Sequence, residues 1–214
     1  MKHTKWALGV AVVVCMSVAA SPAAAAPLLV GSNLFAAGEP DPTGGGLIAG
    51  GVPIPFAAVD FNGTLTSSVI QGDPSNPLGG LTFTYLLQNN AASPSEISRL
   101  TVSGFAGFLT DGSFQVPAAG LPPTLNDRSG GIGDVIGFSF VGPPIGLGKL
   151  LPGQTSALLV VQTNAPAFTP TFASVINGGV ASVSSFAPMV PEPATMGLLA
   201  LGLAGLIAQR RHQR

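Results

Sequence analysis

The sequence predicts an all-β fold for its central part, an antiparallel β-sandwich of about eight strands. Apolar and polar residues alternate at a period of two in several short segments, as at Phe83, Tyr85 and Leu87 between threonines and glutamine. Turn-forming residues separate these segments, since the 214-residue chain contains 29 glycines and 20 prolines. Helical periodicity is not found between the two ends, so strands and turns account for the domain.

Eight segments have the composition of strands. Residues 156–163 form a nearly continuous aliphatic run, which is typical of a strand buried on both faces. Asn177-Gly178-Gly179 predicts a hairpin turn between the last two strands. Residues 36–55, rich in Gly and Pro, are expected to form a loop, and residues 126–134 a turn rather than a Ca²⁺ loop, whose ligand spacing they lack. The eight segments are 61–70, 81–89, 99–103, 112–116, 135–141, 156–163, 172–176 and 180–186.

Charged residues are scarce, at 8% of the chain with a net charge of −1, against about 25% in an ordinary soluble domain. Between residues 26 and 190 there are eight acidic and three basic side chains, which gives this part a net charge of −5. Such a chain gains little from counterion release on a polyanion. No nucleic-acid partner is therefore expected.

The central part contains no Cys, His or Trp and one tyrosine, Tyr85. Disulfides, zinc and copper sites of the His/Cys type, and catalysis by Ser-His-Asp or Cys-His are therefore excluded there. Two carboxylates could still support glycoside hydrolysis, but nothing in the sequence marks two of the eight acids as a pair. We expect no catalytic residue, no metal site and no cofactor, and predict that the protein is not an enzyme.

Residues 1–25 predict a signal peptide that forms an N-terminal helix. A basic start is followed by an apolar run and then by small residues. Signal peptidase requires small side chains before its cut and disfavours proline after it, so cleavage is predicted between Ala25 and Ala26, which keeps Pro27 out of the first position. The apolar run is too short for an uncleaved anchor, since a spanning helix needs about 20 residues.

The C-terminal segment has three parts. Val190-Pro191-Glu192-Pro193 is followed by uncharged, apolar residues 194–208 and then by a basic tail that includes Arg210 and Arg211. Fifteen helical residues span about 22 Å, less than the ~30 Å hydrocarbon core, so a marginal transmembrane helix is predicted. The arginines stay cytoplasmic by the positive-inside rule, which leaves the central domain on the outer side of the inner membrane.

These three parts, in this order, resemble the PEP-CTERM sorting signal of bacteria that make extracellular polysaccharide. The resemblance implies that exosortase, an integral-membrane cysteine protease, processes the protein. By position it assigns the recognition triplet to Pro191, Glu192 and Pro193 and the stop-transfer charge to Arg210 and Arg211. Exosortase, signal peptidase, the inner membrane and exopolysaccharide are the expected partners.

The predicted organisation is a signal peptide (1–25), a β-sandwich domain (26–189) and a sorting signal (190–214). The predicted function is that of an exported, non-catalytic surface or extracellular-matrix protein associated with exopolysaccharide or biofilm. It would be anchored transiently in the inner membrane and then cut. Two alternatives stay open: an uncleaved, membrane-anchored module that binds carbohydrate or another ligand, and a secreted enzyme that uses carboxylates.

Overall fold

The computed structural model describes residues 27–40 and 44–189. This part of the chain forms twelve strands and no helix. In chain order the strands are β1 (Asn33–Phe35), β2 (Ala37–Pro40), β3 (Gly46–Ala57), β4 (Asn62–Gln71), β5 (Thr82–Asn89), β6 (Arg99–Ser103), β7 (Thr110–Val116), β8 (Leu125–Arg128), β9 (Val135–Ser139), β10 (Leu159–Thr163), β11 (Phe168–Asn177) and β12 (Gly179–Pro188).

The strands make two six-stranded sheets. The first sheet has the order β1-β8-β9-β6-β11-β12 and the second sheet the order β2-β7-β10-β5-β4-β3. The all-β prediction is confirmed, and each of the eight predicted segments contains a strand. The predicted number of about eight strands is too low, and the sheets are not purely antiparallel, because β2 pairs with β7 in parallel. Three of the additional strands contain only three or four residues, too few to show alternation.

Residues 36–55 were expected to form a loop, and this expectation is wrong. They supply β2 and most of β3, which forms an edge of the second sheet. An edge position tolerates Pro53 and Pro55, because a proline there need not donate to a neighbouring strand. The β3–β4 register shifts between Gly50 and Pro53. Gly50 has φ of +82°, and a Cβ there would lie 1.9 Å from the Ser67 carbonyl oxygen.

One of the predicted turns is confirmed, and another is only partly correct. The hairpin at Asn177-Gly178-Gly179 is confirmed, since β11 and β12 pair from Phe168–Pro188 to Asn177–Gly179. All five residues of β10 are buried, as its aliphatic sequence predicted. Residues 126–134 are only partly a turn, because the first three belong to β8, which pairs with β9.

The hydrophobic core lies between the two sheets. Phe83 and Tyr85 of β5 face it from the second sheet, and Leu100 and Phe138 from the first. The Tyr85 hydroxyl donates a 2.9 Å hydrogen bond to the carbonyl oxygen of Phe186 on β12, so one side chain links the two sheets. Full burial and this bond hold the hydroxyl in the core.

The outer face of the second sheet is also buried in part. Thr82 on β5 and Gln162 on β10 point away from the core, because side chains alternate along a strand, yet they are at most 1% exposed. Segment 72–80 lies against them: the Asp73 carboxylate accepts a 2.7 Å hydrogen bond from the Thr82 hydroxyl. The second sheet is therefore buried on both faces in this region. Its buried outer layer, which includes Thr82, Gln162 and Asp73, is more polar than the core.

The predicted signal helix (1–25) and the predicted transmembrane helix (194–208) both lie outside the described residues. Among the residues that are described, no helix is long and apolar enough to cross a membrane.

Candidate functional site

The residues that the sequence predicted to be functional all lie outside the described part of the chain. The structure shows where the sorting segment begins. Strand β12 is paired up to Pro188, and the Met189 amide donates a 2.9 Å hydrogen bond to the Ala167 carbonyl oxygen. Residue 190 therefore follows an ordered edge strand with no intervening linker. The predicted residues are Ala25 and Ala26 at the signal cleavage site, Pro191, Glu192 and Pro193 in the sorting motif, and Arg210 and Arg211 in the basic tail.

Three acidic side chains come together at the outer face of the second sheet. Glu39 lies on β2, Asp111 on β7 and Asp73 in segment 72–80, and their exposed fractions are 6, 3 and 7%. We call these three residues the acidic cluster. The Ser113 hydroxyl donates a 3.1 Å hydrogen bond to Glu39 Oε2, which connects β2 to β7. Burial of three carboxyl groups in one region is uncommon, because each loses hydration.

Asp73 is well supplied with hydrogen-bond donors. Its Oδ1 accepts from the backbone amide and the hydroxyl of Ser75, at 2.9 and 2.7 Å. Its Oδ2 accepts from the Thr82 hydroxyl at 2.7 Å and more weakly from Gln162 Nε2 at 3.4 Å. This carboxylate is satisfied by neutral donors, which fix segment 72–80 on the sheet.

Asp111 is not satisfied in this way. It lies opposite Gln162 in the antiparallel β7–β10 ladder. Asp111 Oδ1 and Gln162 Oε1 are both buried, and neither accepts a hydrogen bond from any described residue. The Gln162 amide nitrogen is occupied, since it donates to the Ser75 hydroxyl at 3.0 Å. Two neighbouring residues therefore each present an acceptor without a donor.

The electrostatics of the acidic cluster follow from this burial. Loss of hydration, with a smaller contribution from the Glu39 carboxylate, raises the pKa of Asp111 to about 7. Burial also raises the pKa of Glu39; the hydrogen bond from Ser113 opposes this shift, and the Asp73 carboxylate adds to it. Within the described ranges, no three His, Cys, Asp or Glu side chains are arranged to hold a metal ion. The raised pKa of Asp111 allows this carboxyl group to hold a proton near neutral pH.

The three basic side chains of the described residues are all engaged elsewhere. Arg99 makes two hydrogen bonds to the Asp127 carboxylate, at 2.6 and 2.7 Å. Lys149 pairs with Glu96 at 2.8 Å. Arg128 donates to five uncharged oxygens at 2.8–3.3 Å, the carbonyls of Gly133, Leu28, Phe105 and Phe108 and the hydroxyl of Thr110.

An apolar pocket of about 310 Å³ lies beside Arg128 at the same end of the sandwich. Its lining is mainly aliphatic, and Leu29, Leu109 and Ile132 are 60–73% exposed. The guanidinium of Arg128 has no N–H left for a ligand in this pocket, because a guanidinium has five and all are used.

The comparison with protein families concerns the C-terminal segment. The model of the PEP-CTERM protein-sorting motif matches residues 190–211. The chain carries a PEP-CTERM sorting motif. The resemblance stated from the sequence is thereby confirmed, and the motif implies exosortase-dependent sorting of an exported protein. Neither the search of curated proteins nor the search of solved structures found a match.

The sequence predicted the PEP-CTERM motif but not the acidic cluster. The matched span contains Pro191–Pro193 and the two arginines, whose individual roles stay predictions. Glu39 stood in a segment expected to be a loop, so no sequence pattern placed β2 beside β7. The one available signal was local: Asp111 is a charged residue directly before the predicted strand 112–116.

Proposed function

We propose that this protein is a non-catalytic surface or extracellular-matrix protein that exosortase releases from the inner membrane. The PEP-CTERM motif at residues 190–211 carries the proposal, since it implies export and exosortase-dependent sorting. In this proposal the β-sandwich is the cargo, and it reaches the cell surface or an exopolysaccharide matrix after the tail is removed.

The position of the motif supports cleavage close to the folded domain. Strand β12 is hydrogen-bonded to its end, and Pro191-Glu192-Pro193 begins two residues after Met189. Prolines fix φ near −65° and keep the residue before them out of a helix, so the sequence predicts an extended segment at Glu192. A protease acting there removes the apolar tail and leaves the sandwich complete.

The acidic cluster supports a non-catalytic role. Glycosidases act through two carboxyl groups that flank the bound sugar, whereas Glu39 and Asp111 are both more than nine-tenths buried. A sugar ring could not reach them without unfolding segment 72–80 or β2. We accordingly expect the purified protein to show no polysaccharide turnover, and an activity abolished by Asp111→Asn would contradict this part of the proposal.

Intact mass tests the proposal directly. We expect protein recovered outside the cell to lack the apolar tail, and Glu192→Ala to leave full-length protein in the inner membrane. Glu96→Ala is the matched control, because Glu96 is a partly exposed glutamate far from the motif in the sequence and should not alter release.

Two results would contradict the proposal in different ways. Unchanged release of the Glu192→Ala variant would show that exosortase does not read this triplet. Protein that stays in the membrane and keeps Arg214 would favour the alternative, an anchored module that binds carbohydrate or another ligand.

A further inference from the structure

A series of hydrogen bonds crosses the buried outer face of the second sheet. The Gln162 side-chain amide donates to the Ser75 hydroxyl oxygen at 3.0 Å, and the Ser75 hydroxyl donates to Asp73 Oδ1 at 2.7 Å. A hydroxyl has one hydrogen, which Ser75 gives to Asp73, so Ser75 can only accept from Gln162. The donors of this series therefore all point from Gln162 towards Asp73.

These bonds also fix the orientation of the Gln162 amide. Its nitrogen is directed to Ser75 and, at 3.4 Å, to Asp73 Oδ2, so its oxygen lies on the opposite side of the amide group. Turning the amide over would place the oxygen 3.4 Å from the Asp73 carboxylate, and neither group could donate to the other. The oxygen is therefore the end of Gln162 that is left for a further partner.

Asp111 is the neighbour of Gln162 on the adjacent strand. The two residues are directly opposed in the antiparallel β7–β10 ladder, and opposed residues share a face with Cβ atoms about 4.5–5.5 Å apart. The side chains of an aspartate and a glutamine can bridge such a gap. Asp111 Oδ1 and Gln162 Oε1 are both buried, and neither has a donor among the residues that the structure describes. One proton held between the two oxygens would satisfy both.

We propose that Asp111 keeps a proton in the folded protein and donates it in a hydrogen bond to Gln162 Oε1. The series of donors then runs in one direction from Asp111 through Gln162 and Ser75 to the Asp73 carboxylate. Hydrogen bonds in such a chain polarise and strengthen one another. When the proton is lost it passes to water, the carboxyl group becomes a carboxylate, and no other bond is broken. This inference does not depend on export or on exosortase.

The acidic groups around this position favour the protonated form. Burial and, to a smaller extent, the Glu39 carboxylate of β2 raise the pKa of Asp111 to about 7. Asp73, at the other end of the series, already accepts from Ser75 and from the Thr82 hydroxyl. Its oxygens therefore need no proton, and the proton belongs on Asp111.

The base that contacts β7 does not neutralise Asp111. Arg128 reaches β7 through the Thr110 hydroxyl at 3.0 Å, and successive residues of a strand point to opposite faces, so Thr110 and Asp111 lie on different sides of the sheet. Arg128 also gives all its N–H groups to uncharged oxygens. The other two bases of the described ranges, Arg99 and Lys149, pair with acids elsewhere. No described cation is therefore available to an ionised Asp111.

Loss of the proton would replace a hydrogen bond with a repulsion. The ionised Asp111 would face the Gln162 oxygen and the Glu39 carboxyl group without a donor from the described residues. Strand β7 carries β2 at the edge of the second sheet through their parallel pairing. Both strands would therefore be held to β10 more firmly below about pH 7 than above it, which makes this edge of the sandwich sensitive to pH.

Carboxyl NMR tests the inference directly. The protein is purified from cells that express the full chain with ¹³C-labelled aspartate, and the Asp111 signal is assigned by its loss in Asp111→Asn. We expect this signal to titrate near pH 7. Gln162→Met removes the acceptor and should lower the proton affinity of Asp111 about tenfold or more, which is one unit of pKa or more. Thr82→Val is the matched control, because Thr82 opposes Gln162 from the other side, on β5, and should leave the Asp111 titration unchanged.

Urea unfolding of Asp111→Asn gives an independent test. An asparagine amide can donate to Gln162 Oε1 at every pH, because it does not titrate. The variant should therefore unfold at the same urea concentration as wild type at pH 4 and at a higher one at pH 8. At pH 8 we expect its folding equilibrium constant to exceed that of wild type about a hundredfold.

Three results would overturn the inference. An Asp111 carboxyl group that is ionised from pH 5 to pH 8 would show that no proton is held, as would an Asp111→Asn variant less stable than wild type at both pH 4 and pH 8. An Asp111 titration that Gln162→Met leaves unchanged would show that Gln162 does not accept the proton. If Gln162→Met does not fold, the wild-type titration and the Asp111→Asn comparison still decide.

Discussion

Arg128 and Asp111 are buried charges at the same end of the sandwich, and they are satisfied very differently. Arg128 donates to the Thr110 hydroxyl at 3.0 Å, and Asp111 is the next residue along β7. All five guanidinium N–H groups have acceptors, none of them charged. Asp111 Oδ1, by contrast, has no donor in the described part of the chain.

The difference distinguishes Arg128, a charged group whose hydrogen bonds are complete, from Asp111, whose site lacks hydrogen-bond donors within the described ranges. Burial lowers the pKa of Arg128, yet arginine remains protonated in proteins, and its donors hold β8 to the chain segments around it. Its contacts are complete within the fold. The Asp111 site has two acceptors, Asp111 Oδ1 and Gln162 Oε1, for which the described residues supply no donor.

The largest effect is expected when the guanidinium of Arg128 is removed. Arg128→Met keeps much of the side-chain volume but removes the five hydrogen bonds that the guanidinium donates to four backbone carbonyls and one hydroxyl. We expect the free energy of unfolding in urea to fall by roughly 3–5 kcal/mol. Arg99→Met is the comparison, because Arg99 is partly exposed and its ion pair should contribute about 1 kcal/mol or less. Similar losses in the two variants would show that the neutral oxygens around Arg128 contribute little.

The next effect tests the Asp111 site through pH. Asp111 has a pKa of about 7 in the folded protein, above the usual unfolded value. The folded state then binds more protons than the unfolded state, so the free energy of unfolding falls as pH rises from about 4 to 7. We expect a fall of roughly 2–4 kcal/mol, with Glu39 adding to it in the same direction.

Urea unfolding at three pH values measures this fall, and Asp111→Asn should remove most of it. Asp73, the third carboxylate facing this region, is unchanged in that variant. Identical pH dependence in wild type and Asp111→Asn would show that the Asp111 carboxyl group does not cause the fall.

The two regions also differ in what the sequence could predict. Alternation predicted the central strands, and the contiguous letters of residues 190–211 predicted the PEP-CTERM motif. Strand β3 was missed because Gly50 and the prolines hid an edge strand, and β1, β2 and β8 because three or four residues show no period. Glu39 and Asp111 lie on two strands that are distant in the sequence but pair in parallel, which no local pattern encodes.

The smallest effect concerns Thr110, which belongs to both regions. Its hydroxyl accepts from Arg128 at 3.0 Å and donates to the Leu28 carbonyl oxygen at 3.2 Å, next to the Pro27–Asp111 bridge. Thr110→Val removes both bonds at nearly constant volume, but Arg128 can still donate to Leu28 at 3.3 Å. We expect a loss of about 1 kcal/mol in urea unfolding. Thr110→Ser keeps the hydroxyl and should recover most of it. A loss as large as that of Arg128→Met would mean that this one hydroxyl, rather than the carbonyls, holds the guanidinium.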